Sequence, residues 1–200
     1  MQTSGKTQAS QRNIHIYLES NPNPNSLKFV TNAMLMPEGE SMDFPDVESA
    51  SEAPLAQELF QYDYVKRVFY MSNFITVTKS EDVEWLEVQG EIKDHIRQYL
   101  EDGKPILMQE AMISGNEIDE NDSETVKKIK GILDEYIRPA VEQDGGAIGF
   151  KSYENGVVTV LLQGSCSGCP SSTITLKSGI ENLLKTMLPG EVESVEAEGV

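Results

Sequence analysis

The sequence predicts an α+β protein built from two small α+β domains, and three observations carry that reading. Strand-like alternation and helix-like spacing of apolar residues succeed one another along the chain, the periodicity lapses once past the middle, and the order of elements differs on the two sides of the lapse. The order is β-β-α-β-β-α before it and α-β-β-α-β after it. The expected organisation is a disordered tail at residues 1–12, a first domain at 13–106, a flexible acidic linker at 107–122 and a second domain at 123–200.

In the first half, Ile14, Ile16 and Leu18 alternate with His15 and Tyr17 as a half-buried strand requires. Asn21-Pro22-Asn23-Pro24-Asn25 then forces a turn before the apolar run around Leu27 to Val30. Ser51 is expected to cap a short helix with Pro54 in its first turn and Leu55, Leu59 and Phe60 inward. Val65 to Met71 and Phe74 to Lys79 are rich in β-branched and aromatic residues, and only Ser72-Asn73 separates them. Trp85, Val88, Ile92, Ile96 and Tyr99 recur at helical spacing, with Trp85 anchoring the first core.

The second half opens with Ser123 as a helix cap, followed by Val126, Ile129, Ile132, Leu133, Tyr136 and Ile137 as one apolar stripe ending near Arg138-Pro139. Asp144-Gly145-Gly146 bends the chain. Asn155-Gly156 between Ile148–Tyr153 and Val157–Leu162 predicts a two-residue hairpin, because both turn positions need positive φ. Leu176, Ile180, Leu183, Leu184 and Met187 mark another helix, and Val192 to Ala197 a last strand.

Composition narrows the function classes. An apolar fraction of 38% and a charged fraction of 24% fit a folded protein, and no run of about 18 apolar residues exists to span a membrane. The polar start lacks the apolar stretch of a secretory signal, so the expected location is cytoplasmic. A net charge of -17, spread over both halves, argues against nucleic-acid binding, which needs clustered Lys and Arg.

Cys166 and Cys169 are the two cysteines of the chain. A pair three positions apart is a poor disulfide scaffold and a better metal or redox site. They stand in Gly164-Ser165-Cys166-Ser167-Gly168-Cys169-Pro170-Ser171-Ser172, between a strand and a helix whose first position suits Pro170. Cys169 would then lie at the helix N-terminus, where the dipole and open amides favour a thiolate. A tetrahedral zinc ion or a cluster ordinarily takes four protein ligands, and two thiols supply half of them. Ligand counting therefore points to two copies of the chain facing each other across a two-fold axis. Three readings of the pair stay open at this level: metal or cluster binding, thiol-disulfide exchange, and inert packing.

Other candidates carry less. His15 and His95 lack a partner His or Cys at ligand spacing and are expected to be structural or solvent-facing. Met34, Met36 and Met42 fit irregular packing better than partner binding. Asp144-Gly145-Gly146 could support the cysteine loop, although a bend out of a helix is the simpler reading.

The stretch from Val126 to Val195 closely resembles the C-terminal domain of the NifU/Nfu iron-sulfur proteins. Arg138-Pro139, Gln143-Asp144-Gly145-Gly146, the Asn155-Gly156 hairpin and the cysteine loop carry the likeness. Asn21-Pro22-Asn23-Pro24-Asn25-Ser26-Leu27-Lys28-Phe29 and the Val65–Lys79 hairpin resemble the N-terminal domain of Nfu scaffolds. The resemblance implies a carrier rather than an enzyme. It implies that Cys166 and Cys169 hold a 4Fe-4S cluster that bridges a homodimer, comes through upstream assembly machinery and is delivered to apo iron-sulfur proteins. A thiol-disulfide oxidoreductase and a zinc-bridged structural dimer are the alternatives.

Overall fold

The computed structural model describes residues 13–37, 39–108, 119, 122–167 and 170–199, with backbone alone at 170–172. The expected tail at 1–12, most of the expected linker, Gly168 and Cys169 lie outside the described residues.

The first unit is an antiparallel sheet with strands β1 (Ile16–Ser20), β2 (Ser26–Thr31), β3 (Ser41–Phe44), β4 (Val65–Met71) and β5 (Phe74–Lys79), in the order β1-β2-β5-β4-β3. The Asn-Pro repeat makes its turn by side-chain capture: Asn21 Oδ1 accepts from the Asn23 amide at 3.1 Å, and Asn23 Oδ1 from the Asn25 amide at 3.0 Å. Helices α1 (Pro54–Leu59) and α2 (Trp85–Glu101) supply the apolar residues that meet one face of the sheet. On that face Leu27, Phe29, Val68, Tyr70, Ile75 and Val77 join Leu55, Leu59, Ile92, Ile96 and Tyr99 in a single core. Trp85 packs at its margin, edge-on to Phe29 with ring centres 6.1 Å apart.

Strand alternation sends Lys28, Val30, Phe69, Met71, Phe74 and Thr76 to the opposite face. An antiparallel sheet commonly leaves such a face to water. Here every residue of β2 is buried, because the second unit covers it.

The second unit contains α3 (Glu124–Ile132), a π-helical segment (Leu133–Ile137), α4 (Arg138–Gln143), β6 (Gly146–Glu154), β7 (Val157–Gly164), α5 (Pro170–Met187) and β8 (Ser194–Gly199). Ser123 Oγ caps α3 by accepting from the Val126 amide at 3.2 Å. β6 and β7 form the hairpin that Asn155 (φ +50) and Gly156 (φ +81) close, and β8 runs parallel to β7. Ile129, Leu133, Val158, Val160, Leu162, Ile180, Leu184 and Val195 fill the core.

Three expectations are corrected. β3 is an additional strand: Ser41-Met42-Asp43-Phe44 is short and polar, and pairing with β4 holds it extended at the sheet edge. The helix at Pro54 is capped by Ala53 rather than Ser51, since Pro54 takes the first helical position and fixes the cap one residue earlier. Tyr136 leaves the apolar stripe and is 49% exposed. The wider π turn inserts an extra residue into the helical repeat, which turns Tyr136 outward while Ile137 and Val141 still meet the core.

Candidate functional site

β7 ends at Gly164 (φ +66), and residues 165–167 turn toward the start of α5. The Ser167 amide donates to the Gly164 carbonyl at 3.1 Å, and Thr173 Oγ1 from α5 donates to the Cys166 carbonyl at 3.3 Å. Cys166 is 6% exposed and belongs to the core of the second unit. The structure places Cys166 at this turn; it does not describe Cys169, so the proposed pair is seen through one member.

The turn rests on glycines. Gly146 faces Gly164 across the hairpin. A Cβ on Gly146 would stand 2.5 Å from the Gln163 carbonyl oxygen and 3.0 Å from Cys166 Sγ, so the missing side chain is the space in which the sulfur sits. Gly145 (φ +79) accepts from the Ser165 amide at 3.3 Å, and the Ser165 hydroxyl donates to the Asp144 carbonyl. Asp144-Gly145-Gly146 is thus both the bend out of α4 and the cradle of the cysteine turn. Counting back from Asn155-Gly156 would put Ser165 opposite Gly146. A bulge between Phe150 and Ser152 shifts the register by one and brings the two glycines together.

The first unit reaches the same turn. Asn23 Nδ2 donates to the Ser165 carbonyl at 3.1 Å, and Thr76 Oγ1 to the Gly145 carbonyl at 2.8 Å. Lys28 Nζ donates to the carbonyls of Glu142 and Gln143 at 3.1 and 3.4 Å. Asp43 Oδ2 accepts from the Gly164 amide at 3.2 Å and pairs with Arg67 Nη1 at 2.6 Å. Burial pushes the Asp43 carboxyl up to about 6, against the opposing pull of Arg67 and the Gly164 amide. Sequence reasoning missed these four side chains. Single polar residues on separate strands leave no pattern in a sequence, and their meeting point exists only once the two sheets pack.

His15 is exposed, whereas His95 lies between the Tyr62 hydroxyl (2.9 Å) and the Glu58 carboxylate (2.8 Å). Met36 is buried, Met42 packs against the first core, and Met34 is exposed. Among the described residues no group of three His, Cys, Asp or Glu is placed to hold a metal ion. No described helix is long and apolar enough to cross a membrane.

Known proteins line up with both units. Residues 16–103 match the family model described as scaffold protein Nfu/NifU N terminal, and residues 129–196 match that of the NifU-like domain. A Drosophila willistoni protein named NFU1 iron-sulfur cluster scaffold homolog, mitochondrial, is 46% identical over 93% of this chain and 64% of its own length. Its namesake from Drosophila ananassae is 45% identical over 92% of this chain and 64% of its own length. This chain therefore spans about two thirds of the length of these relatives. A solution structure of a NifU-like protein from Saccharomyces cerevisiae is 26% identical, with a TM-score of 0.46, and covers 55% of this chain and 97% of its own.

These relatives overturn the expected cytoplasmic location, since they are named mitochondrial. The expectation rested on the lack of an apolar secretory stretch, and targeting to mitochondria uses amphipathic, Arg- and Ser-rich segments instead. With an Nfu N-terminal domain followed by a NifU-like domain, the chain belongs to the Nfu/NifU family.

Proposed function

We propose that this protein is an iron-sulfur cluster scaffold and carrier. Two copies hold one 4Fe-4S cluster through Cys166 and Cys169 of each, and hand it to apo iron-sulfur proteins. The observation that carries this reading is the turn at Cys166, a thiol set between a strand end and a helix start on a glycine cradle that no larger residue could share. Two such turns facing each other supply the four thiolates that a 4Fe-4S cluster takes. The matched families and the names of the relatives support the same role.

The cluster is cargo in this scheme. The chain binds, shields and releases it, while iron and sulfide come from upstream assembly machinery and no reaction is assigned to the chain itself. The location that accompanies this role is the mitochondrion, by likeness to the relatives so named.

Anaerobic reconstitution of the full chain tests the proposal. The expected result is about four iron and four sulfide per dimer, lost in Cys166→Ser and in Cys169→Ser. A double Ser variant that still held the full complement would sink it. Catalytic turnover of a disulfide substrate would favour thiol exchange, and a colourless zinc-bound dimer that resists transfer would favour a structural role.

A further inference from the structure

Two units with separate sheets meet here over a small apolar centre of Val30, Phe69, Met71, Phe74 and Ala147. Around it, Asn23, Lys28, Asp43 and Thr76 all bond main-chain atoms between Glu142 and Ser165, which are the two ends of the cysteine turn's cradle. Phe69 closes the same side, lying 2.9 Å from where a Cβ of Gly164 would be. The sheet face of the first unit is thus fitted to the backbone of the turn, which side-chain differences elsewhere in the second unit would not alter.

This packing coincides with a thiol turned inward. Cys166 is 6% exposed, whereas a sulfur shared with a second copy must reach the surface. Bonds from the first unit anchor the turn itself, the end of β7 and the bend that leads into β6. An interface of a few polar bonds around five apolar residues is of the kind that separates and re-forms between domains, not a fused core.

We propose that the first unit is an intramolecular clamp on the cysteine turn. Docked, it holds the turn closed with Cys166 in the core; undocked, it frees the turn to swing outward and receive a cluster. This rests on the reading of Cys166 as a cluster ligand. The occupant of the sheet face is therefore this chain's own turn, and a second copy gains access when the clamp opens.

The test uses the full-length apo protein, so that it stays apart from cluster retention. A short pulse of N-ethylmaleimide, read at the Cys166 peptide by mass spectrometry, reports opening, and hydrogen exchange over Gly164 to Ser167 reports docking. Thr76→Arg cannot fit, because Thr76 Oγ1 is buried and already lies 2.8 Å from the Gly145 carbonyl oxygen. Lys28→Met removes only the ammonium that reaches Glu142 and Gln143 and keeps the aliphatic stem.

Thr76→Arg is expected to raise Cys166 modification about tenfold or more, with faster exchange over the turn and a shorter time to cluster uptake; Lys28→Met should give a smaller rise. Trp85 fluorescence checks that the first unit stays folded, and Lys28→Met decides the matter should Thr76→Arg fail to fold. Three results overturn the clamp: wild-type Cys166 as reactive as in the denatured chain, faster exchange over the turn with Cys166 still protected, or no change of either in both variants. The carrier reading fails separately, through cluster retention without cysteines.

Discussion

Asp43 on the edge strand β3 accepts the amide hydrogen of Gly164, 3.2 Å away on the last residue of β7. A carboxylate of one unit is thereby bonded to the residue from which the cysteine turn of the other begins. Its Oδ2 is also 2.6 Å from Arg67 Nη1, and the Asp43 side chain is 1% exposed. Taking that charge out of water costs more than its two partners return, which is why burial dominates its titration.

This carboxyl gives the protein a pH dependence. Its folded value of about 6 lies above the ordinary 3.8, so the folded protein binds the proton more tightly than the unfolded chain does. The stabilisation is complete below the ordinary value and is lost as pH rises through the folded one. Unfolding free energy should therefore fall by on the order of 2 kcal/mol between about pH 4 and pH 7 more in the wild type than in Asp43→Asn. Urea titrations at several pH values measure the difference, and equal slopes in the two proteins would remove Asp43 as its source.

Gly146 should not tolerate a side chain. A Cβ there meets the Gln163 carbonyl at 2.5 Å, and backbone cannot retreat as a flexible side chain does. Gly146→Ala is expected to cost about 1–3 kcal/mol, because the added methyl must displace the Gln163 carbonyl or the Cys166 sulfur. Gly179 on α5 is the contrast, because nothing lies within 4 Å of its Cβ position. Gly179→Ala should stabilise by up to about 1 kcal/mol through helix propensity. Denaturation midpoints of the pair decide it, and a harmless Gly146→Ala would refute the cradle.

Much of the fold is written locally. Asn21 to Asn25 turns by Asx capture, Asn155-Gly156 takes positive φ, and Val65 to Met71 and Phe74 to Lys79 pair as their composition requires. The features that were not legible depend on register and on packing between units. The bulge at Phe150 to Ser152 sets Gly146 against Gly164, and the π turn at Leu133 to Ile137 turns Tyr136 outward. Neither leaves a residue-type signature. The cysteine motif announced a thiol site, but Asn23, Lys28, Asp43 and Thr76 become part of it only when a sheet face that reads as half-polar is covered.

His95 offers a test that separates the two faces of the first sheet. Burial, reinforced by the carboxylates of Glu91 and Glu58, raises the Tyr62 hydroxyl above its ordinary value, and that hydroxyl is hydrogen-bonded to His95 Nδ1 at 2.9 Å. His95 Nε2 donates to Glu58, and the three side chains tie α2 to α1 and to the loop before β4. His95→Ala should cost about 1–2 kcal/mol in the unfolding followed by Trp85, with partial recovery in His95→Gln, which can both donate and accept. Because α2 lies across the sheet from the cysteine turn, Cys166 reactivity in the folded protein should not change. A rise in that reactivity equal to the one in Thr76→Arg would mean that loosening the first unit anywhere releases the turn, and that the sheet face has no special hold on it.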